Sequence, residues 1–518
     1  MISPRILAIL FSSALGLCAT EARLQATEPE SQAVAKDLVH WRSWSADLPD
    51  VARQAGKPIY VFAGSRLSEL AQATVRQSFA NAETADYLNQ SFVCVLVDLD
   101  EQGALGAAIR VHLNLLRQAD GVPLHLWLSP DLNVIEATAY LPPTEEWGKT
   151  SFIKYARQVG EAWRLDPANC GAKIADTLAQ AAEAFAEQPL PSADAAAVRT
   201  LLDETAARWR DMADATNGGF GEAPKQPQPE LLRFLLARAG PDRELALGTL
   251  RRMANSALRD PLDGGFFKYS TDIGWRLPSL QKRLVDQARL ALAYLDADAI
   301  KSDPVMQEAA RGALDYSLSR LALPAGGYAF AEDGTAEPHN AAFLWSADEI
   351  GAALGADAAA FFTRHQVQPA GNLSEEQDPG ARLKGLNILV SQLPVPPEAV
   401  AQLAKVAALR QGRGAPVRDE RAFAGPQALL LAALSRAATQ LQEPRYRAAA
   451  DRLYTGLCAF VADGATPTVR RLQGSGEVAT PTDLAALALG FRAYAQAAGK
   501  PEAGQRADTI LRKLVTEC

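Results

Sequence analysis

Nowhere in the 518 residues do two cysteines stand as CxxC. The five cysteines are scattered at 18, 94, 170, 458 and 518. That speaks against a dithiol centre on one local motif and against a cysteine-based zinc site. Histidine is equally scarce. Only His339 and His365 fall in the C-terminal half, which disfavours isomerase chemistry relying on imidazole as acid and base. No basic tract interrupts a net charge of -8, so nucleic acid is not an expected partner. Beyond the N-terminus no apolar run reaches the ~18 residues of a membrane span, so no transmembrane segment is expected. No metal site and no cofactor is expected.

What is present begins with a targeting pattern. Arg5 precedes "ILAILFSSALGLCA" and then polar "TEARLQATEPESQ", the form of a secretory signal peptide. Cleavage after Ala19, Ala22 or Ala26 is compatible with it, and residues 1–26 are assigned to the signal. Leu17 is too bulky before Cys18 for a lipid-attachment box. The expected location is outside the cytoplasm, periplasmic or secreted. The length points to more than one domain, and a content of 48% apolar residues can fill large cores.

Residues 36–165 alternate helical and strand patterns and end in an antiparallel hairpin, the pattern of a small α/β sandwich with a mixed sheet. Within it, "KPIYVFAGSRLSELAQATVRQSF" (57–79) reads as strand, loop and helix. A helix N-terminus at the end of a buried strand stabilises anions, a thiolate among them. Yet the loop holds no Cys, His or Asp. Ser65 or Ser68 becomes a nucleophile only if a histidine approaches, and His125 is the remote candidate. Cys94, in "SFVCVLVDLD", reads as a small buried apolar group.

Beyond Asp166 strand patterns nearly vanish, and about twelve or thirteen helical segments follow by periodicity. In "TPTDLAALALGFRAYAQAAGK", Thr480 suits a cap, Pro481 the first turn and Gly499 the end. Leu484, Leu487, Phe491 and Tyr494 share one face. Three stretches, "NGGFGEAPK" (217–225), "DGGFFKYS" (263–270) and "AGGYAFAED" (325–333), each place Gly-Gly-aromatic after a helix. Each reads as a tight turn presenting an aromatic. Helical hairpins with loops gathered at one end can close into an (α/α)6 toroid with a pocket there. A plain helical array with glycine C-caps is the alternative.

The chain resembles the proteins related to spermatogenesis-associated protein 20, which join a thioredoxin-like domain to a six-hairpin-glycosidase-like domain. The resemblance is carried by "VHWRSW", "RQSFANAETADYLNQSFVCVLVDLDE", "GVPLHLWLSPDLNVIEATAYLPP", "GGFGEAPKQPQPELL", "DGGFFKYSTDIGWRLPSLQKRLVDQA" and "PAGNLSEEQDPGARLKGLNIL", in family order. It implies a thioredoxin-like domain at 36–165 and an (α/α)6 toroid at 172–518. It also implies a cis bond at Pro123. The family's CxxC aligns with Ser68-Glu69-Leu70-Ala71, so both sulfurs are gone and dithiol exchange with them. The family's histidines in the helical half are replaced by Phe267 and by the run Ser279-Leu280-Gln281-Lys282. Its Trp-Asn pair aligns with Pro426-Gln427.

Carboxylates survive in or beside these motifs. Glu222, Asp263, Asp272, Asp286, Glu332, Asp333 and Asp419 are candidates, with Tyr269, Trp275 and Phe267 as a possible sugar-stacking wall. Each has a plain structural reading too: Asp263 and Asp272 as turn formers, Asp286 as a partner of Lys282. The expectation is an exported, redox-inactive protein binding a glycan or peptide in the toroid pocket. A glycoside hydrolase using the surviving acids and an envelope assembly protein are the alternatives. Cys518 is expected to pair with Cys170 or with Cys458, since the ends of a closed toroid approach each other.

Overall fold

The computed structural model describes residues 38–171, 176 and 194–517, except 104, 107–108, 111–120, 147, 336–338, 376, 379–382, 463–467, 473 and 476. The signal at 1–26 and Cys518 lie outside the described residues. Packing separates two units, Met1–Pro191 and Ser192–Cys518. The first unit therefore extends past the expected boundary at 165. Its last described turn lies against the sheet, with Cys170 in the apolar cluster and Gly171 tight against Val134 and Ile135.

The first unit runs β1 (Arg42–Ser43), α1 (Leu48–Ala55), β2 (Ile59–Gly64), α2 (Glu69–Thr74), α3 (Ala82–Ser91), β3 (Val93–Asp98), β4 (Leu124–Leu128), β5 (Val134–Thr138) and α4 (Phe152–Leu165). The sheet order is β1-β3-β2-β4-β5. β2 pairs parallel to β3 and antiparallel to β4, and β4 pairs antiparallel to β5. Alternation on β2 explains the two cores. Ile59, Val61 and Ala63 meet Leu48 and Ala52 on one face. Tyr60 and Phe62 meet Phe79, Leu88 and Phe152 on the other. After Thr74 the chain widens into a π-helical turn, Val75–Phe79, which buries Phe79.

The second unit has twelve helices among the described residues. They are α5 (Ala195–Asp211), α6 (Pro229–Ala237), α7 (Pro241–Ala254), α8 (Leu284–Ile300), α9 (Pro304–Arg320), α10 (Ala347–Leu354), α11 (Ala358–His365), α12 (Pro397–Gln411), α13 (Ala424–Gln440), α14 (Pro444–Cys458), α15 (Pro481–Ala498) and α16 (Pro501–Glu517). Neighbours in sequence pack as hairpins: α6 with α7, α8 with α9, α13 with α14, α15 with α16. The apolar α8, α13 and α15 lie side by side, with α6 beside α8. This inner-and-outer layering is that of the (α/α)6 class. α8 packs directly on α13, although α9 to α12 intervene in sequence. The centre between those two helices is thus filled by side chains. α15 begins with a full capping box, Thr480 with Asp483, and ends on left-handed Gly499. Among the described residues no helix is long and apolar enough to cross a membrane.

The three Gly-Gly-aromatic turns share one construction. Each is closed by an antiparallel bridge: Ala213 with Phe220, Arg259 with Phe266, Ala322 with Tyr328. In each, the residue after the first bridge partner donates its N–H to the second glycine's carbonyl, from Asp214 to Gly219, Asp260 to Gly265 and Leu323 to Gly327. All three aromatics point inward and are buried. Glycine is required at Gly219, where φ is 81° and an added Cβ would stand 2.7 Å from the Trp275 ring. Gly219→Ala is expected to destabilise the second unit by about 2 kcal/mol, combining backbone strain with overpacking. Gly221→Ala, at φ 71° with open space around it, should cost about 1 kcal/mol from the backbone alone. Urea midpoints at constant m-value measure both.

Candidate functional site

In the thioredoxin-like unit the site is framed and its sulfurs are absent. Ser68 is the N-cap of α2, its hydroxyl accepting from the Ala71 N–H at 3.2 Å and donating to the Val122 carbonyl at 3.0 Å. The next bond, Val122–Pro123, is cis. One hydroxyl thus ties the start of α2 to the proline loop. Ala71 is buried. Ser65 donates to Asp100 at 2.6 Å. His125 is turned away from both serines: its Nδ1 meets the Tyr60 hydroxyl at 2.7 Å, and Tyr60, Phe62, Trp127 and Phe152 surround its ring. Burial lowers its pKa to about 3. Among the described residues neither serine has a histidine in reach to act as its base.

Two of the thiols are held in the protonated form. Burial pushes Cys94 up to about 12 and also raises Cys170, so neither is a ready thiolate. Cys94, Cys170 and Cys458 are free. Cys170 packs within the first unit, because its short helical turn covers β5 rather than opening the helical region.

In the second unit, turns one and two are pinned by buried lysines. Lys225 Nζ reaches Asp214 at 2.5 Å and the Gly218 carbonyl at 2.9 Å. Lys282 Nζ reaches Asp260 at 2.8 Å and Asp263 at 2.7 Å, with Phe267, Tyr316 and Phe343 rings 4.7–4.9 Å away. Arg410 joins the same two aspartates at 2.8 and 3.1 Å. Two cations thereby balance two anions. Burial alone would raise the Asp260 pKa, but Arg410 and Lys282 more than offset it and hold it well below the usual carboxylate range. Such a group stays ionised and cannot serve as the general acid of glycoside cleavage.

The candidate residues separate accordingly. A small sheet, β6 (Gln281–Arg283), β7 (Ala331–Asp333) and β8 (Val417–Asp419), collects three of them. Glu332 is opposite Lys282, while Asp333 is opposite Gln281 and Asp419 opposite Ala331. Alternation sends Glu332 to one face and the two aspartates to the other. Glu332 is buried; its Oε2 accepts from Tyr316 at 2.8 Å, and Oε1 pairs with Arg320 at 2.9 Å off hydrogen-bond geometry. Asp333 accepts from Gln281, and Asp419 is clamped by Arg421. Asp263 also caps its own turn at Gly265, and Asp272 accepts from the Arg276 and Leu277 N–H groups and from Gln377. Asp286 pairs with Arg283 rather than with Lys282, which is withdrawn into the core. Phe267 is buried. Trp275 is buried as well, its indole donating to the Asn217 carbonyl at 3.0 Å, and it fills the space above Gly219. Tyr269 is half-buried and Glu222 exposed. Glu222, Tyr269, Trp275 and Glu332 therefore do not line one open cleft, because packing and ion pairing have consumed Trp275 and Glu332.

The open space lies at the third turn. A cavity of about 390 Å³ sits among the end of α9, residues 322–328, the start of α13 and the last turns of α14. Leu323, Tyr328, Leu457 and Phe460 form apolar walls, and among the described residues Arg445 and Arg452 are its only charged lining residues. Gln427 donates to the Tyr328 carbonyl at 2.6 Å, while its buried Oε1 has no donor. Of these Tyr328 and Gln427 stood out in the sequence. Asp214 and Asp260 carried a readable signal, the shared spacing D-x3-G-G-F, which the third turn breaks.

Replacing Lys282 by Met is expected to destabilise the protein by about 3 kcal/mol, because Asp260 and Asp263 then share Arg410 alone. Asp260 also links stability to acid. Its pKa is depressed on folding, so its contribution is complete above the unfolded value of about 3.9 and is lost as pH falls through the folded value. Urea titrations of wild type and Asp260→Asn should converge on going from pH 6 to pH 3. In the first unit, His125 should give the nitrogen shifts of a neutral imidazole at pH 4.5. The unfolded chain takes up that proton near pH 6.5, so stability drains by about 1.4 kcal/mol per pH unit below it until the folded value is passed.

The family described as Thioredox_DsbH, a protein of unknown function (DUF255), matches residues 23–183. Spermatogenesis-associated protein 20 of mouse is 28% identical over 382 residues, and that of human 29% over 381; each alignment covers 68% of this chain. The chain spans about half the length of these relatives, 48% in both cases. An uncharacterized Caenorhabditis elegans protein is 25% identical over 83% of this chain and 64% of its own. Among solved structures, a GH76 α-mannanase of Bacteroides thetaiotaomicron aligns with TM-score 0.38 at 12% identity, covering 62% of this chain and 71% of its own. Cellobiose 2-epimerase of Bacillus thermoamylovorans aligns with 0.37 at 11%, covering 61% and 72%. By its sequence, the chain is a homologue of the spermatogenesis-associated protein 20 proteins.

Proposed function

We propose that this is an exported, redox-inactive protein that binds a glycan or peptide at the loop end of its helical domain. The carrying observation is Ser68. It stands in a sulfur position, and both its hydrogen-bonding directions are committed, to Ala71 and to Val122. With Ala71 in the other position, no mixed disulfide can form or resolve there. What remains of that loop is architecture.

The binding role rests on the cavity at the third turn, which combines apolar walls with two arginines. Ligand sites of this kind are concave and mostly apolar, with a few converging polar groups. Catalysis by surviving acids is the weaker reading, since Asp260, Asp263, Glu332 and Asp419 are each held by a cation. Export rests on the N-terminal sequence.

Insulin reduction by the purified protein should stay at background, and should remain there after replacement of Cys94, Cys170 or Cys458. Turnover that depends on any of these cysteines would refute the redox-inactive reading. A thermal-shift panel of neutral and acidic oligosaccharides and short peptides tests binding, because a ligand of the native state raises Tm. A panel with no shift, at concentrations up to 10 mM, counts against it.

A further inference from the structure

We infer that the third-turn cavity recognises the carboxy terminus of a peptide whose last residue is apolar. The inference rests on the binding reading above and names the ligand chemistry of that site.

The argument comes from the comparison of the three turns. Asp214, Asp260 and Leu323 occupy the same place, each sending its N–H to the second glycine of its turn. In the first two turns the carboxylate there meets a buried lysine. In the third the carboxylate is missing and Leu323 lines an open cavity. Cations remain around it. Arg445 is already neutralised by Asp315 and Glu443. Arg452 makes no hydrogen bond or ion pair among the described residues, yet its charge acts on the Tyr328 hydroxyl, offsetting part of the upward pKa shift that burial produces. Among the described residues no acid lines the cavity. A visiting carboxylate therefore supplies the anion that the turn lacks, and Arg452 is the free group to receive it.

Two further features select a peptide end over a bare anion. Leu318, Leu323, Leu453, Leu457 and Phe460 give an apolar surface for a side chain beside the carboxylate. The Gln427 Oε1 is an acceptor lacking a donor, 3.5 Å from where a Cβ on Gly327 would stand. A peptide N–H provides such a donor as the two-glycine turn yields. A sugar would leave the five apolar side chains facing hydroxyl groups.

The test uses the full chain and three probes followed by calorimetry: N-acetyl-Ala-Leu as free acid, the same peptide as its C-terminal amide, and octanoate. The free acid is expected to bind, with the amide weaker by about tenfold or more, the worth of one charge-assisted contact. Arg452→Gln should reduce the acid to the level of the amide. Gly456→Phe should abolish binding with Tm unchanged or raised, since Gly456 lines the cavity and no atom lies within 4 Å of an added Cβ. Equal binding of acid and amide overturns carboxylate recognition and leaves the cavity as a binding site. Octanoate binding without the peptide acid overturns the peptide source. Binding of an oligosaccharide that Gly456→Phe abolishes overturns the peptide inference while supporting the broader binding reading. No binding by peptides or oligosaccharides removes both.

Discussion

A lysine ammonium with no exposure to water has to meet carboxylates where it lies, and the loop end of the helical domain is organised around that demand. Taking such a charge out of water costs several kcal/mol unless its partners are fixed in place. Lys282 and Lys225 are both fully buried. Their aspartates sit in turns whose glycines allow the backbone to come close enough. At the second turn the approach is so tight that a Cβ on Gly264 would stand 2.6 Å from the Gly312 backbone. Charge pairing and glycine geometry are therefore one device: the turn brings the aspartate to the lysine, and the lysine holds the turn. Breaking one member leaves the others buried and uncompensated.

The thioredoxin-like unit shows the same economy in uncharged form. Its central strand carries Tyr60 and pairs with the strand that carries His125, and the two side chains satisfy each other inside an aromatic shell. The imidazole is kept neutral by that shell, as Cys94 is kept protonated by its own burial. Ser68 performs two structural tasks open to a small polar side chain, capping the helix and tethering the proline loop. Helix and loop therefore keep their positions without the reactive group. The frame depends on hydrogen bonds and packing, which a serine supplies.

Much of this was legible in the sequence. The apolar, β-prone run in "PIYVFAG" and the capping signals of Thr480, Pro481 and Gly499 led directly to β2 and α15. The Gly-Gly-aromatic turns were readable because glycine has few other reasons to be doubled before a buried ring. The candidate site was less legible. Trp275 and Glu332 are residue types common to binding clefts and to cores, and only three-dimensional packing tells them apart. Arg410 lies 128 residues after Lys282 in sequence, too far for any local pattern to join them. The domain boundary was placed too early, because Cys170 and Gly171 follow a helix end and carry no sign that they fold back on β5.

The third turn gives the spacing signal its meaning. D-x3-G-G-F marks the two turns that are closed by an internal ion pair; Leu323-Pro324-Ala325-Gly326-Gly327-Tyr328 shortens the loop by one residue and drops the acid. Such an exchange of a buried ion pair for apolar side chains is stabilising only when the new side chains fill the volume. Here they do not fill it. Leu323 and its neighbours border a concavity, and the exposed Arg452 that lines it has no acid paired with it among the described residues. The first two turns are complete within the chain, whereas the third has apolar surface and positive charge left over. A feature that costs stability where the chain had a ready alternative, used twice nearby, points to occupancy by something from outside.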